Sequence, residues 1–145
     1  GGMSAEAERL ISELRLAPHP EGGHYRETFR DSPPAGRDGE GRGHSSAIFF
    51  LLKQGEVSWW HRVDAAEVWH FHRGAPLELS IARNGVITRQ LLGAAIEKGE
   101  TPQLVVPAVA WQMAKSLGDY TLVGCTVAPG FEFAGFELAP RDFAP

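Results

Sequence analysis

Apolar residues near the start of the chain recur at helical spacing. Four of them fall on one face of a helix: Ala7, Leu10, Ile11 and Leu14. Ser4 precedes this group as a suitable N-cap, and Pro18 and Pro20 are predicted to end the helix. The pattern therefore predicts one short amino-terminal helix.

From His24 onward the pattern changes to alternation and to apolar runs of strand length. The predicted strands are residues 24–30, 47–52, 57–62, 67–72, 77–82, 86–91, 103–106, 111–115, 120–128 and 131–138. A loop rich in Gly and Pro is predicted over residues 31–44, and Asn84-Gly85 suits the two-residue type I′ turn of a hairpin. About ten short strands with tight turns predict an all-β sandwich or barrel.

The length and composition are those of one ordinary globular domain. The chain has 145 residues, of which 43% are hydrophobic and 22% charged. We expect a single domain over residues 4–145. Residues 1–3, in which two glycines precede Met3, resemble the remnant of a cleaved expression tag.

Net charge and cysteine usage narrow the expected partners and location. The formal net charge is −4 and the basic residues form no run, so we expect no nucleic-acid partner. Cys125 is the single cysteine, which rules out an internal disulfide and fits a reducing compartment. Neither a membrane-length apolar stretch nor a signal-peptide pattern is visible. We therefore expect a cytoplasmic protein with no membrane partner.

The segment from residue 55 to residue 74 carries the clearest candidate chemistry. Side-chain alternation places four residues on one face of the third predicted strand, continued to residue 63: Val57, Trp59, His61 and Val63. On the next strand, Glu67, Trp69 and Phe71 share a face, whereas His70 and His72 point the opposite way and are expected to be structural. A His and a Glu on adjacent strands inside a barrel could bind a cation or move a proton.

This segment resembles the first motif of the cupin superfamily. That motif contains a Gly, a His-x-His pair, a Glu and a second Gly, and the matching residues are Gly55, His61, Glu67 and Gly74. Val63 stands where the second His belongs. The resemblance therefore implies a metal motif that has been partly lost.

A second cupin motif, a Pro-x-Gly turn followed by a His, matches Pro107, Val109 and Gln112. More specifically, the chain resembles the cupin-like subfamily once labelled a domain of unknown function (DUF985 type). The matching segments are residues 18–23, 58–62, 67–72, 102–107 and 127–132. The resemblance implies a double-stranded β-helix, that is, a jelly-roll barrel of two antiparallel sheets, with a short amino-terminal helix. It also implies a homodimer and kinship in fold to sugar-nucleotide epimerases and sugar-phosphate isomerases.

Three functions stay open at this point. The first is a metal-independent carbohydrate or sugar-nucleotide isomerase or epimerase, with His61 as base and Glu67 as its partner. The second is a non-enzymatic pocket that binds a small metabolite through Trp59, Trp69 and Gln112. The third is a metal-dependent enzyme using His61, Glu67 and Gln112, although two good ligands and one poor one seldom hold a transition metal. No cofactor is therefore expected to be required, and a divalent metal is the alternative.

The predicted pocket residues are Trp59, Val63, Trp69, Phe71 and Gln112, together with Arg26. Arg26 would suit a phosphate or carboxylate if its face of the first strand lines the pocket, and the pattern does not decide which face does. Trp59 and Trp69 suit a ligand platform and a core position equally well. We expect Cys125 to be an inert buried thiol and residues 21–23 to form a turn.

Overall fold

The computed structural model of this protein describes residues 5–32 and 41–145. The predicted N-cap Ser4, the residues 1–3 assigned to a tag remnant and residues 33–40 of the predicted loop lie outside the described residues. Helix α1 spans Ala5–Glu13 and buries Ala7 and Leu10. In the described part of the chain, no helix combines the length and the apolar composition needed to cross a membrane.

Helix α1 ends earlier than its two downstream prolines predicted. Arg15 adopts a left-handed φ of 56°. The backbone N–H groups of Arg15 and Leu16 donate to carbonyls of the last helical turn at 3.2 and 2.9 Å. These paired bonds form a Schellman motif, which satisfies the free carbonyls and turns the chain away. Pro18 therefore lies in the next strand instead of at the helix end.

Eleven strands follow within residues 5–32 and 41–145. They are β1 (Ala17–Pro18), β2 (His24–Arg30), β3 (Ser46–Lys53), β4 (Val57–Val63), β5 (Ala66–Gly74), β6 (Leu77–Arg83), β7 (Val86–Leu92), β8 (Gln103–Val106), β9 (Trp111–Ser116), β10 (Tyr120–Ala128) and β11 (Phe136–Leu138). One sheet has the order β1-β2-β3-β10-β5-β8, and the other has the order β11-β4-β9-β6-β7. Every pair of neighbouring strands is antiparallel. This architecture is the double-stranded β-helix that the sequence predicted.

The turn chemistry agrees with the prediction at one hairpin and corrects it at the last strand. Asn84 and Gly85 have φ values of 52° and 77°, as the two-residue turn between β6 and β7 requires. The strand predicted over residues 131–138 is shorter, because residues 133–135 form a 3-10 turn before β11.

The main core lies between the two sheets. Its fully buried large side chains include Phe50 on β3, Trp69 on β5 and Leu79 on β6. Phe50 and Trp69 also line the principal cavity, so the cavity opens directly onto packed core. Side chains at its inner end are consequently held by the sheets, which favours a fixed geometry over a flexible one.

Candidate functional site

A cavity of about 460 Å³ opens between the sheets, and we call it the pocket. Its walls are largely aromatic, with Phe50, Trp69, Phe131 and Phe136 among them. Its inner polar residues, here called the floor, are Glu21, His61, Glu67 and Cys125, and each of them is at most 7% exposed. Its exposed charged residues, here called the rim, are Arg15, Arg26 and Glu27.

A β-bulge in β4 decides which side chains of that strand enter the pocket. Ser58 pairs with Ala114 and His61 pairs with Gln112, so two residues of β4 face one residue of β9. His61 and Val63 line the pocket as expected, whereas Trp59 does not. The prediction that Trp59 lines the pocket is therefore wrong, because the bulge interrupts the alternation on which it depended.

Trp59 instead packs on the outer side of this sheet. It contacts an aromatic cluster that includes Trp60 and Phe143. Its indole N–H donates to the carbonyl of Pro140 at 3.1 Å, and the Arg141 guanidinium lies 5.5 Å from its ring centroid. Trp59 thus serves the packing of the carboxyl-terminal segment.

His61 has its hydrogen-bonding pattern set by two partners. Its Nδ1 lies 2.7 Å from the carbonyl oxygen of Trp59, so Nδ1 carries a proton and donates it. Its Nε2 lies 3.2 Å from Oε2 of Glu21. The other oxygen of Glu21, Oε1, accepts the hydroxyl of Ser58 at 2.7 Å. The carboxyl group in contact with His61 is therefore that of Glu21, and not that of Glu67 as the sequence predicted.

A tight turn before β2 delivers Glu21 to this position. The N–H of Trp59 donates to the carbonyl of Glu21 at 2.9 Å, which ties the turn to β4. Gly22 and Gly23 have φ values of 115° and 80°, and a Cβ on Gly22 would collide with the carbonyl of Val57. The turn was predicted, but the role of Glu21 was missed. The signal was a carboxylate placed directly before two glycines, which allow backbone to approach closely.

His19 enters the pocket from the same turn. Its Nδ1 accepts the backbone N–H of Glu21 at 3.1 Å, so its remaining proton is on Nε2. Its ring packs edge-to-face on Tyr25 at 4.4 Å and stacks on Phe50 at 5.6 Å. Burial lowers its pKa to about 4, with a smaller effect from His61, so His19 is neutral at pH 7.

Glu67 is held through Gln112. The indole N–H of Trp69 can only donate, and it binds Oε1 of Gln112 at 2.9 Å. The amide nitrogen of Gln112 then donates to Oε1 of Glu67, also at 2.9 Å. Gln112 is 1% exposed and lies behind the pocket wall, so it orients Glu67 and does not touch the cavity.

Phe71 differs in place from the sequence prediction, whereas Arg26 lines the pocket as that prediction expected. Phe71 packs against the main core and is not among the pocket-lining residues. On β2, Tyr25 and Glu27 oppose Phe50 and Ile48, which line the pocket. Arg26 reaches the rim, but its Nε donates to the carbonyl of Leu14 at the end of α1, at 2.7 Å. The pocket face of β2 is therefore that of Tyr25 and Glu27.

Burial shifts the pKa values of the floor residues in the direction that favours their neutral forms. It raises the pKa of Glu21 to about 8, against the opposing hydrogen bond from Ser58, and it raises the pKa of Glu67 to about 7. Burial lowers the pKa of His61, so its imidazole is neutral and its Nε2 faces a protonated Glu21. The pKa of the Cys125 thiol is raised, chiefly by burial, which agrees with an unactivated thiol.

The donor set does not fit a tightly held transition metal. Among residues 5–32 and 41–145, no three His, Cys, Asp or Glu side chains are grouped so that they could hold a metal ion. Nε2 of His61 faces Glu21, and the oxygen of Gln112 faces Trp69. Val63, in place of a ligand, adds a methyl-bearing surface to the pocket.

Fold and site together define a cupin-type barrel with a buried pocket, in which the described residues form no cluster of metal-ligating side chains. The chain belongs to the DUF985 family of the cupin superfamily, whose sequence profile matches residues 8–139. No curated protein of related sequence was found.

Solved structures agree with this assignment. A protein from Shewanella oneidensis, solved by X-ray crystallography, is 38% identical with a TM-score of 0.86, over 94% of this chain and 85% of that chain. A hypothetical protein from Leishmania major is 34% identical with a TM-score of 0.83, over 92% and 86%. An oxalate decarboxylase variant from Bacillus subtilis is 14% identical with a TM-score of 0.62, over 84% of this chain and 29% of that one, and shows the fold alone.

Proposed function

We propose that this protein catalyses metal-independent proton transfer on a small carbohydrate-type substrate, as an isomerase or epimerase. The observation that carries the proposal is the floor of the pocket, where His61, Glu21 and Glu67 hold exchangeable protons next to an enclosed cavity. Acid–base catalysis is most effective when the pKa of the catalytic group is near the working pH. Glu67, with a pKa of about 7, and Glu21, with a pKa of about 8, meet that condition.

The two carboxyl groups divide the acid and base roles. Glu67 is about half ionised at pH 7, so it can remove a proton from a carbon next to a substrate carbonyl. Glu21 carries a proton at that pH and shares it with Nε2 of His61, so this pair can protonate the carbonyl oxygen. The product of these two transfers is an enol. Return of a proton to carbon then yields an epimer or an isomer, with no electron acceptor required.

This assignment modifies the sequence-based hypothesis, in which His61 was the base. The proton on Glu21 points at the free lone pair of Nε2, which leaves His61 as the relay that the acid uses. The carbonyl of Trp59 keeps Nδ1 protonated throughout, so proton exchange is confined to one ring nitrogen.

The size and walls of the pocket support a monosaccharide-sized ligand. A volume of about 460 Å³ is within the range of small-molecule sites. Phe50, Trp69 and Phe136 offer ring surfaces on which the C–H face of a sugar can pack, while the floor supplies hydrogen bonds to hydroxyl or carbonyl groups.

Solvent deuterium exchange tests the proposal. The protein, treated with a chelator, is incubated in D2O with a panel of aldoses, ketoses and uronic acids, and deuterium at carbon is followed by NMR. We expect wash-in with a cognate substrate, loss of it in His61→Ala and in Glu67→Gln, and retention in His70→Ala. His70 is the matched control because it lies on the face of β5 opposite Glu67, where its ring hydrogen-bonds Thr126 of β10. Undiminished exchange in His61→Ala would contradict the proposal.

A second candidate is non-enzymatic binding of a small metabolite. Two features favour non-enzymatic binding. The walls of the pocket are apolar and aromatic, and Nε2 of His61 is already engaged by Glu21. A sugar or other metabolite that raises the melting temperature but is recovered without exchange would support this candidate, since selective binding to the folded state stabilises it. The homodimer implied by the resemblance and the cytoplasmic location expected from cysteine usage are part of the proposal. Light scattering of the purified protein and cell fractionation test them.

A further inference from the structure

The rim of the pocket carries positive charge that the rest of the pocket does not balance. Arg15 and Arg26 both line it. The bond from Arg26 Nε to the carbonyl of Leu14 holds this guanidinium beside the peptide that precedes Arg15 and leaves its two Nη groups available. The Arg26 guanidinium therefore lies next to the backbone of Arg15, at the end of α1, and both residues line the opening.

The rim carboxylate, that of Glu27, already forms a salt bridge. Both oxygens of Glu27 accept from the guanidinium of Arg30, at 3.0 and 2.7 Å. Within residues 5–32 and 41–145, no carboxylate forms an ion pair with Arg15 or Arg26. The two arginines that line the rim thus have no carboxylate counter-ion among the described residues. Such a pair is suited to an oxyanion, which guanidinium groups bind with two parallel hydrogen bonds.

The floor places the opposite requirement on a ligand. Its buried carboxyl groups, Glu21 and Glu67, offer no cation to an anion that entered deeply, whereas a hydroxyl or carbonyl can exchange hydrogen bonds with them. A ligand that matches both ends has an uncharged polar ring at the floor and its anionic group at the opening.

We propose that Arg15 and Arg26 form an anion subsite, and that the ligand of this pocket is a ring compound bearing one terminal oxyanion, as a phosphate ester or a carboxylate. The proposal rests on the pocket assigned under the proposed function and names the substrate class for it. Arg15 and Arg26 act in binding and orientation, and neither takes part in the proton transfers.

Calorimetric titration with four probes tests this subsite: phenyl phosphate, phenylacetate, benzyl alcohol and inorganic phosphate. The two charged ring probes are expected to bind at least about tenfold more tightly than benzyl alcohol, because only they carry an oxyanion for the rim. The tighter of the two identifies the source of the oxyanion. Inorganic phosphate is expected to compete with them.

Two variants and a matched control complete the test. Arg15→Gln and Arg26→Gln are each expected to weaken the charged probes about tenfold and to leave benzyl alcohol unchanged. Arg83→Gln removes the same charge from the far end of β6 and is expected to change no affinity by more than about twofold. Arg15 is exposed and forms no ion pair with a carboxylate among the described residues, so Arg15→Gln removes no such contact from the fold.

The outcomes separate this inference from the proposed reaction. Equal affinity for charged and uncharged probes, absence of binding by any ring probe, or full affinity in Arg15→Gln overturns the anion subsite. If the charged probes bind as expected but no carbohydrate exchanges deuterium, the subsite stands and the catalytic proposal fails.

Discussion

Replacing Glu21 with Gln is expected to reduce the loss of stability that the protein shows as the pH rises above neutrality. In the unfolded chain Glu21 releases its proton near pH 4.5, whereas in the folded protein burial holds that proton until about pH 8. Between these values the folded state binds more protons than the unfolded state, so the free energy of unfolding falls as the pH rises. This contribution is complete below pH 4.5 and is lost through about pH 8.

The substitution is chosen to imitate the protonated acid. In Glu21→Gln the amide oxygen can still accept the hydroxyl of Ser58, and the amide N–H₂ can donate to Nε2 of His61. The variant therefore keeps both hydrogen bonds and loses the titration. Glu67 has the same sign of effect, and the lowered pKa of His61 has the opposite sign, acting mainly below its ordinary value of 6.5.

The magnitude follows from the pKa of Glu21. The difference between the unfolded-state pKa of 4.5 and the folded-state pKa of about 8 corresponds to about 5 kcal/mol of unfolding free energy over the whole pH range. One pKa unit is worth about 1.4 kcal/mol. From about pH 6.5 to about pH 8.5, the free energy of unfolding of the native protein should fall by about 2 kcal/mol more than that of Glu21→Gln.

Urea denaturation, followed by tryptophan fluorescence at a series of pH values, measures this difference. Glu97→Gln is the matched control, because Glu97 is exposed and its change should leave the pH dependence as in the native protein. Parallel curves for the native protein and Glu21→Gln would refute the reasoning, since they would mean that Glu21 ionises alike in the folded and unfolded states.

Three further predictions concern individual side chains. Val109 is 62% exposed and has a left-handed φ of 61°, which strains a β-branched residue. Val109→Gly should therefore raise stability by about 1 kcal/mol in thermal unfolding, and a lower melting temperature would contradict the strain. Gln112→Leu leaves the indole N–H of Trp69 and an oxygen of Glu67 unpaired, and should cost about 3 kcal/mol by urea denaturation; a neutral result would argue against the hydrogen-bonded relay. Trp59→Phe removes a contact outside the pocket, so phenyl phosphate should bind it within about twofold of the native affinity, and a larger loss would return Trp59 to the pocket.

Most of the fold could be predicted because its signals are local. Period-2 alternation and runs of four to nine residues indicate strands, and a pair such as Asn84-Gly85 specifies a turn within two residues. The predictions erred where hydrogen bonding between segments sets a boundary. Helix α1 ends at a Schellman motif, and the strand predicted over residues 131–138 gives way to a 3-10 turn.

The candidate site divides in the same way. His61, Val63, Glu67 and Trp69 follow from the cupin-like pattern and from strand alternation, and the structure brings all four to the pocket. Trp59 could not be placed, because a bulge in β4 depends on its pairing with β9 and leaves no signature in a single strand.

Side-chain spacing by itself predicted an all-β sandwich or barrel, and the cupin-like motif indicated which two strands carry a histidine and a carboxylate toward its interior. Only the tertiary structure decided that Glu21, 40 positions before His61, is the group that contacts the imidazole. It also decided that Gln112 orients Glu67 from behind the wall. Such contacts join segments that are distant in the chain, and the burial that raises the pKa of both carboxyl groups exists only once the two sheets have closed around them.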